Sequence, residues 1–247
     1  MAYANERRDG PPIFDDLDTR LAYAVAYHPA HAYAYLHLLL RRDLGDVIFK
    51  GLSHPIKVLV LGAGPGAETL AVIRWMEASA PHLLGKAQFS MVDRADWTET
   101  RRSVLGPTVR ESFNRHKIVF DQKAIDLSTK DGEELLSKEA PHANVILCPS
   151  VFSEMLSEGS GNFLLGSLCS LISESARLAV IDHHHEFKDI SRQWSGRLEV
   201  LSEGEAKGGV VLPHPSGWVK ENLLDWSNNR KPVLRYPLAW AVLVRGR

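Results

Sequence analysis

The residues with most chemistry to offer lie in one run, Leu61-Gly62-Ala63-Gly64-Pro65-Gly66-Ala67-Glu68, at the end of the apolar stretch Lys57–Leu61. Gly62 permits a tight turn, and Gly64 lets a ligand lie against bare backbone. The helix expected to follow offers unpaired N–H groups to that ligand. Two parses fit the spacing. Gly62, Gly64 and Ala67 satisfy the G-x-G-x-x-G/A pattern that seats a dinucleotide pyrophosphate, whereas Gly62, Gly64 and Gly66 read as GxGxG. Pro65 has no N–H to give a phosphate, which favours a ligand without one. Asp93 follows the next apolar stretch, Gln88–Val92, where a carboxylate can accept from ribose hydroxyls; its other use is to cap a helix starting near Asp96. Glu68 falls in the first helical turn, where the helix dipole favours a carboxylate. It is either a stabiliser of that turn or a partner for a ligand ammonium.

Trp97 could stack on a flat ring or anchor the second helix in the core. Asp182-His183-His184-His185-Glu186 follows the fifth expected strand, at the ligand-binding edge of such a sheet. Consecutive side chains point in different directions, so three adjacent histidines are awkward ligands for one ion, and no metal is expected. One histidine acting as general base, with an ordinary pKa of about 6.5, fits better; a plain polar loop is the alternative. Glu154 and Ser153 could orient or deprotonate a nucleophile, or begin a helix. The catalytic candidates are therefore His183, Glu154 and Asp182. Arg101, Arg102, Arg110, Arg115 and Lys117 form the densest basic group, an RNA contact or a solvated face. Tyr23, Tyr27, Tyr33 and Tyr35, with His28, His31 and His37, make the N-terminal segment aromatic and polar-tipped, as a lid or a packed cap.

Periodicity supplies the elements that must position these groups. Asp18 or Thr19 is placed to cap a helix through Leu21, Ala22, Val25 and Ala26, which Pro29 breaks or kinks. A second helix runs from Ala30 through Tyr33, Leu36, Leu39 and Leu40, closing at Arg41, Arg42 and Gly45. Strands are then expected at Lys57–Leu61, Gln88–Val92, Lys117–Phe120, Asn144–Leu147 and Arg177–Ile181. Helices are expected at Thr69–Ala80, at Trp97–Leu105 (ended by Gly106-Pro107) and at Phe163–Ser173. This βαβα alternation predicts an α/β, Rossmann-like, doubly wound sheet. Beyond it, Leu198–Leu201 and Val210–Leu212 are expected strands, Trp218–Trp226 a helix, and Ala239–Val244 the closing strand.

With 247 residues, 45% hydrophobic and 24% charged, the chain has the composition of a globular protein with room for one large α/β domain. A formal charge of -1 gives no global attraction to nucleic acid or anionic membrane. Two cysteines, Cys148 and Cys169, exclude a disulfide framework and a cysteine zinc cluster and fit a reducing compartment. Met1–Gly10 lacks the apolar core of a signal peptide, and no apolar run approaches the roughly 20 residues of a membrane span. The expectation is an intracellular, cytoplasmic protein with no membrane partner. It divides into a disordered leader over 1–14, an N-terminal helical cap over 15–50, and the domain carrying the site over 51–247.

On these residues the chain resembles the class I S-adenosylmethionine-dependent methyltransferases over about Ile56–Arg247. Gly62, Gly64 and Gly66 match the first motif and Asp93 the acid after the second strand. The closing strand after Pro237 is similar to the family's terminal antiparallel hairpin. The resemblance implies a mostly parallel sheet with an antiparallel C-terminal strand, plus the N-terminal helical extension. It also implies S-adenosyl-L-methionine as cofactor, held by Gly62, Ala63, Gly64, Gly66, Glu68, Asp93, Arg94 and Trp97. Asp126 resembles the residue that meets the adenine amino group, although it could instead cap a helix near Ser128–Asp131. Cys148-Pro149-Ser150 occupies the place where methionine and substrate meet. Leu61–Glu68, Val92–Trp97 and Val151–Met155 look more narrowly like a group of fungal ribosomal-RNA uridine methyltransferases, and the last segment also like mitochondrial small-subunit assembly methyltransferases. The Asn-Pro-Pro-Tyr tetrapeptide of many amino-group methyltransferases is missing. The implied reaction is in-line methyl transfer to an N, O or C acceptor, on RNA or a small molecule closed under the N-terminal helices, a chemistry that calls for no metal. Competing readings are an inactive methyltransferase-like binding or assembly protein and an NAD(P)-dependent oxidoreductase.

Overall fold

The computed structural model of the chain describes residues 14, 16–53, 55–157, 159, 161–183, 187, 191, 194, 196–211 and 235–246. Residues 1–13 of the expected leader, His184 to Glu186, Leu212 and the helix expected over Trp218–Trp226 lie outside the described residues.

Five strands, β1 (Lys57–Leu61), β2 (Gln88–Asp93), β3 (Val119–Ala124), β4 (Val145–Pro149) and β5 (Arg177–His183), run parallel to one another. Two long strands, β6 (Leu198–Val211) and β7 (Arg235–Arg245), are antiparallel, giving the order β3-β2-β1-β4-β5-β7-β6. The sheet is buried on both faces, so its central strands are apolar runs without alternation. Within β1, Val58 and Val60 enter one core while Leu59 and Leu61 enter the other, the period of two that a strand imposes. The first core is covered by α1 (Leu17–Arg41), α2 (Leu44–Phe49), α3 (Ala67–Ser79) and α4 (Thr98–His116). The second is covered by α5 (Lys130–Glu139), α6 (Val151–Ser157) and α7 (Gly161–Leu171), together with Phe187 and Trp194.

Three elements run on where local signals end them. First, α1 is one helix of 25 residues with Pro29 inside it. An interior proline costs about 3 kcal/mol. Ala24, Tyr27, Ala30, Ala34, Tyr35, Leu38 and Leu39 are buried at helical spacing on both sides of it, and each large apolar side chain returns about 1.5–3 kcal/mol. The cap is Asp16, not Asp18 or Thr19: its carboxylate accepts from the Thr19 N–H at 2.7 Å. The helix ends where Asp43 turns left-handed (φ 53°), and Gly45 lies inside α2, with the Trp75 ring where a side chain would stand.

Second, α4 continues through Gly106-Pro107 to His116, held by Trp97, Leu105 and Val109 on its inward side. Third, β6 takes in Leu198–Leu201, the polar segment after it and Val210–Val211 of the second expected strand. It pairs with β7 throughout, with irregularities between Val200 and Ser202 and between Ala206 and Val210. Gly204 faces Trp240 across that pairing, and the indole fills the space a side chain would need. Among the described residues no helix is long and apolar enough to cross a membrane.

Candidate functional site

The glycine loop leaves β1 at its carboxyl end, beside β4, where the strand order reverses and open α/β sheets carry their ligands. Gly62, Gly64 and Gly66 all adopt positive φ (69°, 44° and 90°). A side chain on Gly62 would press on Val151, and one on Gly66 on Leu105, whereas one on Gly64 would meet nothing. Packing therefore requires the first and third glycines, while the open flank of Gly64 is room for a ligand. Ala63 is fixed by its N–H to the Val92 carbonyl at 3.0 Å.

The peptide groups of Gly64 are held from two directions. Its N–H donates to Asp93 Oδ2 at 2.8 Å, and its carbonyl accepts from Arg101 Nε at 2.7 Å. Asp93 Oδ1 accepts from the Ala95 N–H at 3.0 Å, so each oxygen keeps one lone pair for a ligand. Asp93 does not cap α4, whose N-cap is Trp97; Asp96, one residue earlier, accepts from the Thr98 N–H. Arg101 is buried, and Nη1 reaches Gln122 Oε1 at 3.4 Å while Nη2 has no partner among the described residues. Burial draws its pKa down to about 10 against the opposing charges of Asp93, Glu68 and Asp96. Sequence reasoning placed Arg101 in a basic surface group and missed this role. Trp97, Arg101, Leu105 and Val109 recur at every fourth residue, and that inward stripe was the available signal. Arg102, Arg110, Arg115 and Lys117 are exposed as expected.

Glu68 is 8% exposed in the first turn of α3, and burial pushes its pKa up to about 8. It borders a small cavity with Tyr35, Leu39, Ile48, Val72, Leu147, Cys148, Pro149, Ala179 and Ile181. Cys148 and Pro149 are both buried at the end of β4, and burial raises the Cys148 thiol far above its ordinary range. Trp97 takes the core position of its two expected readings: the residue is 2% exposed, and its ring packs on Phe14 and Tyr23 at 5.0 and 5.7 Å. Asp126 is exposed two residues beyond β3, accepting from the Ser128 N–H at 2.8 Å, while Thr129 caps α5. The Ser128 hydroxyl, with help from the Arg94 charge, lowers the Asp126 pKa, so Asp93, Arg94 and Asp126 gather at adjacent strand ends.

The catalytic candidates separate. Asp182 is wholly buried, with Oδ2 accepting from the Ser153 N–H at 3.1 Å and Oδ1 from the His183 N–H at 2.7 Å. It ties the start of α6 to the end of β5, with both oxygens facing backbone donors. Glu154 is exposed on α6. His183 is half-buried at the last position of β5 and lies near His31 of α1. His31 sits between Tyr27 and Tyr35, at ring distances of 6.2 and 6.4 Å. Loss of hydration, then the charges of His183 and His28, push it down to about 3. The aromatic face of α1 thus lies over the carboxyl ends of β4 and β5. Among the described residues no three His, Cys, Asp or Glu side chains converge on a metal position.

No family model matches the chain, and neither does any curated protein sequence. Solved structures do match. The N-methyltransferase NodS from Bradyrhizobium japonicum WM9, in complex with S-adenosyl-l-homocysteine, is 9% identical with a TM-score of 0.51, covering 90% of this chain and 100% of that one. The plantazolicin methyltransferase BpumL, in complex with a triazolic desmethylPZN analog and SAH, is 14% identical with a TM-score of 0.50, covering 94% and 92%. The predicted O-methyltransferase Atu636 from Agrobacterium tumefaciens is 15% identical with a TM-score of 0.50, covering 81% and 79%. At such identities the likeness is one of architecture, and the chain therefore has the Rossmann-like methyltransferase fold, with five parallel strands closed by an antiparallel pair.

Proposed function

We propose that the chain is an S-adenosylmethionine-dependent methyltransferase. The observation that carries this reading is the position of the glycine loop and Asp93 in a sheet whose β7 runs antiparallel between β5 and β6. A dinucleotide fold continues its parallel order as 3-2-1-4-5-6. The residues fit the cofactor: Gly64 leaves an open flank, Pro65 denies a phosphate its N–H, and Asp93 keeps acceptor capacity for ribose hydroxyls. Asp126 and Arg94 would meet the adenine end, and Glu68, Cys148 and Pro149 the methionine end. When bound, the cofactor would supply an electrophilic methyl group on sulfonium sulfur, open to the lone pair of an acceptor, with the C–S electron pair left on sulfur.

The chain's own work is to hold the reactants at attack distance and exclude water. His183 is the residue placed to receive an acceptor proton, with Asp182 positioning it through the backbone; Glu154, exposed on α6, is the more distant candidate. Titration calorimetry with S-adenosylhomocysteine tests the reading. Tight binding is expected, and tight NAD binding with none of the homocysteine compound would overturn it.

For the acceptor, the cover that α1 forms through Tyr27, His31 and Tyr35 favours a small molecule reached beneath that helix. An RNA acceptor rests on the exposed Arg102, Arg110, Arg115 and Lys117 and on the narrower sequence likeness alone. Labelled methyl donor in a cell extract separates the two by the fraction that becomes labelled. Cofactor binding with no labelled product would favour a binding or assembly role.

A further inference from the structure

The cavity beside the loop has one feature the fold does not require. Tyr35 and Leu39 of α1, Ile48 of α2, Val72 of α3, Leu147 of β4 and Ile181 of β5 make its wall apolar, and all six belong to the first core. Into this wall the sequence places a carboxyl group, Glu68, two residues beyond the last loop glycine. Its own backbone N–H donates to the carboxylate, but burial in these apolar surroundings outweighs that bond, so the group either stays protonated or waits for a positive partner. The ionisable groups around it are few among the described residues. Arg101 of α4 favours its ionisation and Asp93 of β2 opposes it. Tyr35 lines the cavity from α1, and the Cys148 thiol, at the β4 edge, is held neutral by burial.

We propose that the Glu68 carboxyl is the counter-charge for the cationic end of the cofactor and releases a proton to solvent when that end binds. The proposal rests on the methyltransferase reading. The O–H bond of Glu68 breaks, the proton passes to buffer, and the carboxylate pairs with the ligand cation, so charge inside the cavity stays balanced. A neutral ligand would leave the proton in place. The empty site is thereby kept uncharged and the apolar wall tolerates it.

Titration calorimetry of the full chain in buffers of differing ionisation enthalpy reads the proton directly. A group half-ionised near pH 8 should release most of a proton per S-adenosylmethionine bound at pH 7, with the release from Glu68 shrinking as pH rises past 8. Glu68→Gln, which copies the protonated form, should fold as the wild type does, abolish the release and weaken binding by about ten- to a hundredfold. Two further probes locate the cation. Sinefungin carries an amine in place of the sulfonium, and S-adenosylhomocysteine carries only the α-ammonium. Release with all three probes assigns the α-ammonium, and release with all but the last assigns the sulfonium. Binding of S-adenosylmethionine without proton release, or release that survives Glu68→Gln, overturns the proposal. Failure of all three to bind the wild type would instead strike down the cofactor reading, and the proposal with it.

Discussion

Gly64→Ala separates what the loop does for the fold from what it does for a ligand. Gly64 has φ 44°, and nothing stands within 4 Å of the position a methyl group would take. The fold is therefore charged only for the left-handed backbone, about 1–2 kcal/mol. For a domain of this size that lowers Tm by roughly 2–8 °C. A ligand lying on the open flank would meet the methyl group directly. Intrusion of this kind costs about 1–3 kcal/mol, a loss of roughly five- to 150-fold in affinity. Gly51→Ala is the matched control, because Gly51 also has positive φ (76°) and open space, and it lies between α2 and β1, away from the loop. Differential scanning fluorimetry and calorimetry with S-adenosylhomocysteine on both variants give the comparison. Similar drops in Tm are expected, with affinity lost in Gly64→Ala alone. A Gly64→Ala protein that binds as tightly as the wild type would refute the placement of the ligand against this residue.

Arg101→Met removes the charged hydrogen bond to the Gly64 carbonyl and should lower stability by about 1.5–3 kcal/mol in urea unfolding, with cofactor affinity falling as the loop loosens. Asp182→Asn sets an amide NH2 against one of two backbone donors, Ser153 or His183, and should cost about 1–3 kcal/mol by the same assay. His31 has its folded pKa pushed from 6.5 to about 3, so the unfolded chain binds more protons between those values and stability falls as pH drops through that window. His31→Gln should flatten this slope in pH-dependent thermal melts. Glu68 is shifted upward from 4.5 to about 8, so the folded chain binds more protons and stability falls as pH rises between those values; Glu68→Gln should remove that decline.

The central strands were legible because a parallel sheet buried on both faces writes its strands as apolar runs, as Lys57–Leu61 and Val145–Pro149 do. Asp93 was legible from its place at the end of such a run. The passage of α1 through Pro29 and of α4 through Pro107 was not, because buried neighbours far along the chain outweigh a local breaker. The middle of β6, with Glu203, Gly204 and Glu205, reads as a loop, and only pairing with β7 makes it a strand. The second role of Asp93, and the whole role of Arg101, depend on a peptide group brought beside them by folding. The same is true of Asp182, whose partners lie on α6 and at its own strand end.

The two-sided hold on Gly64 bears on the thermodynamics of binding. Ordering a flexible residue costs about 1–2 kcal/mol. With Asp93 and Arg101 already engaged, that cost for the loop is met on folding, before any ligand arrives. Binding energy is then free to go into affinity, which is the advantage of preorganisation. The Gly64 amide is accordingly expected to be strongly protected from hydrogen exchange in the unliganded protein, and little more so once a ligand is bound.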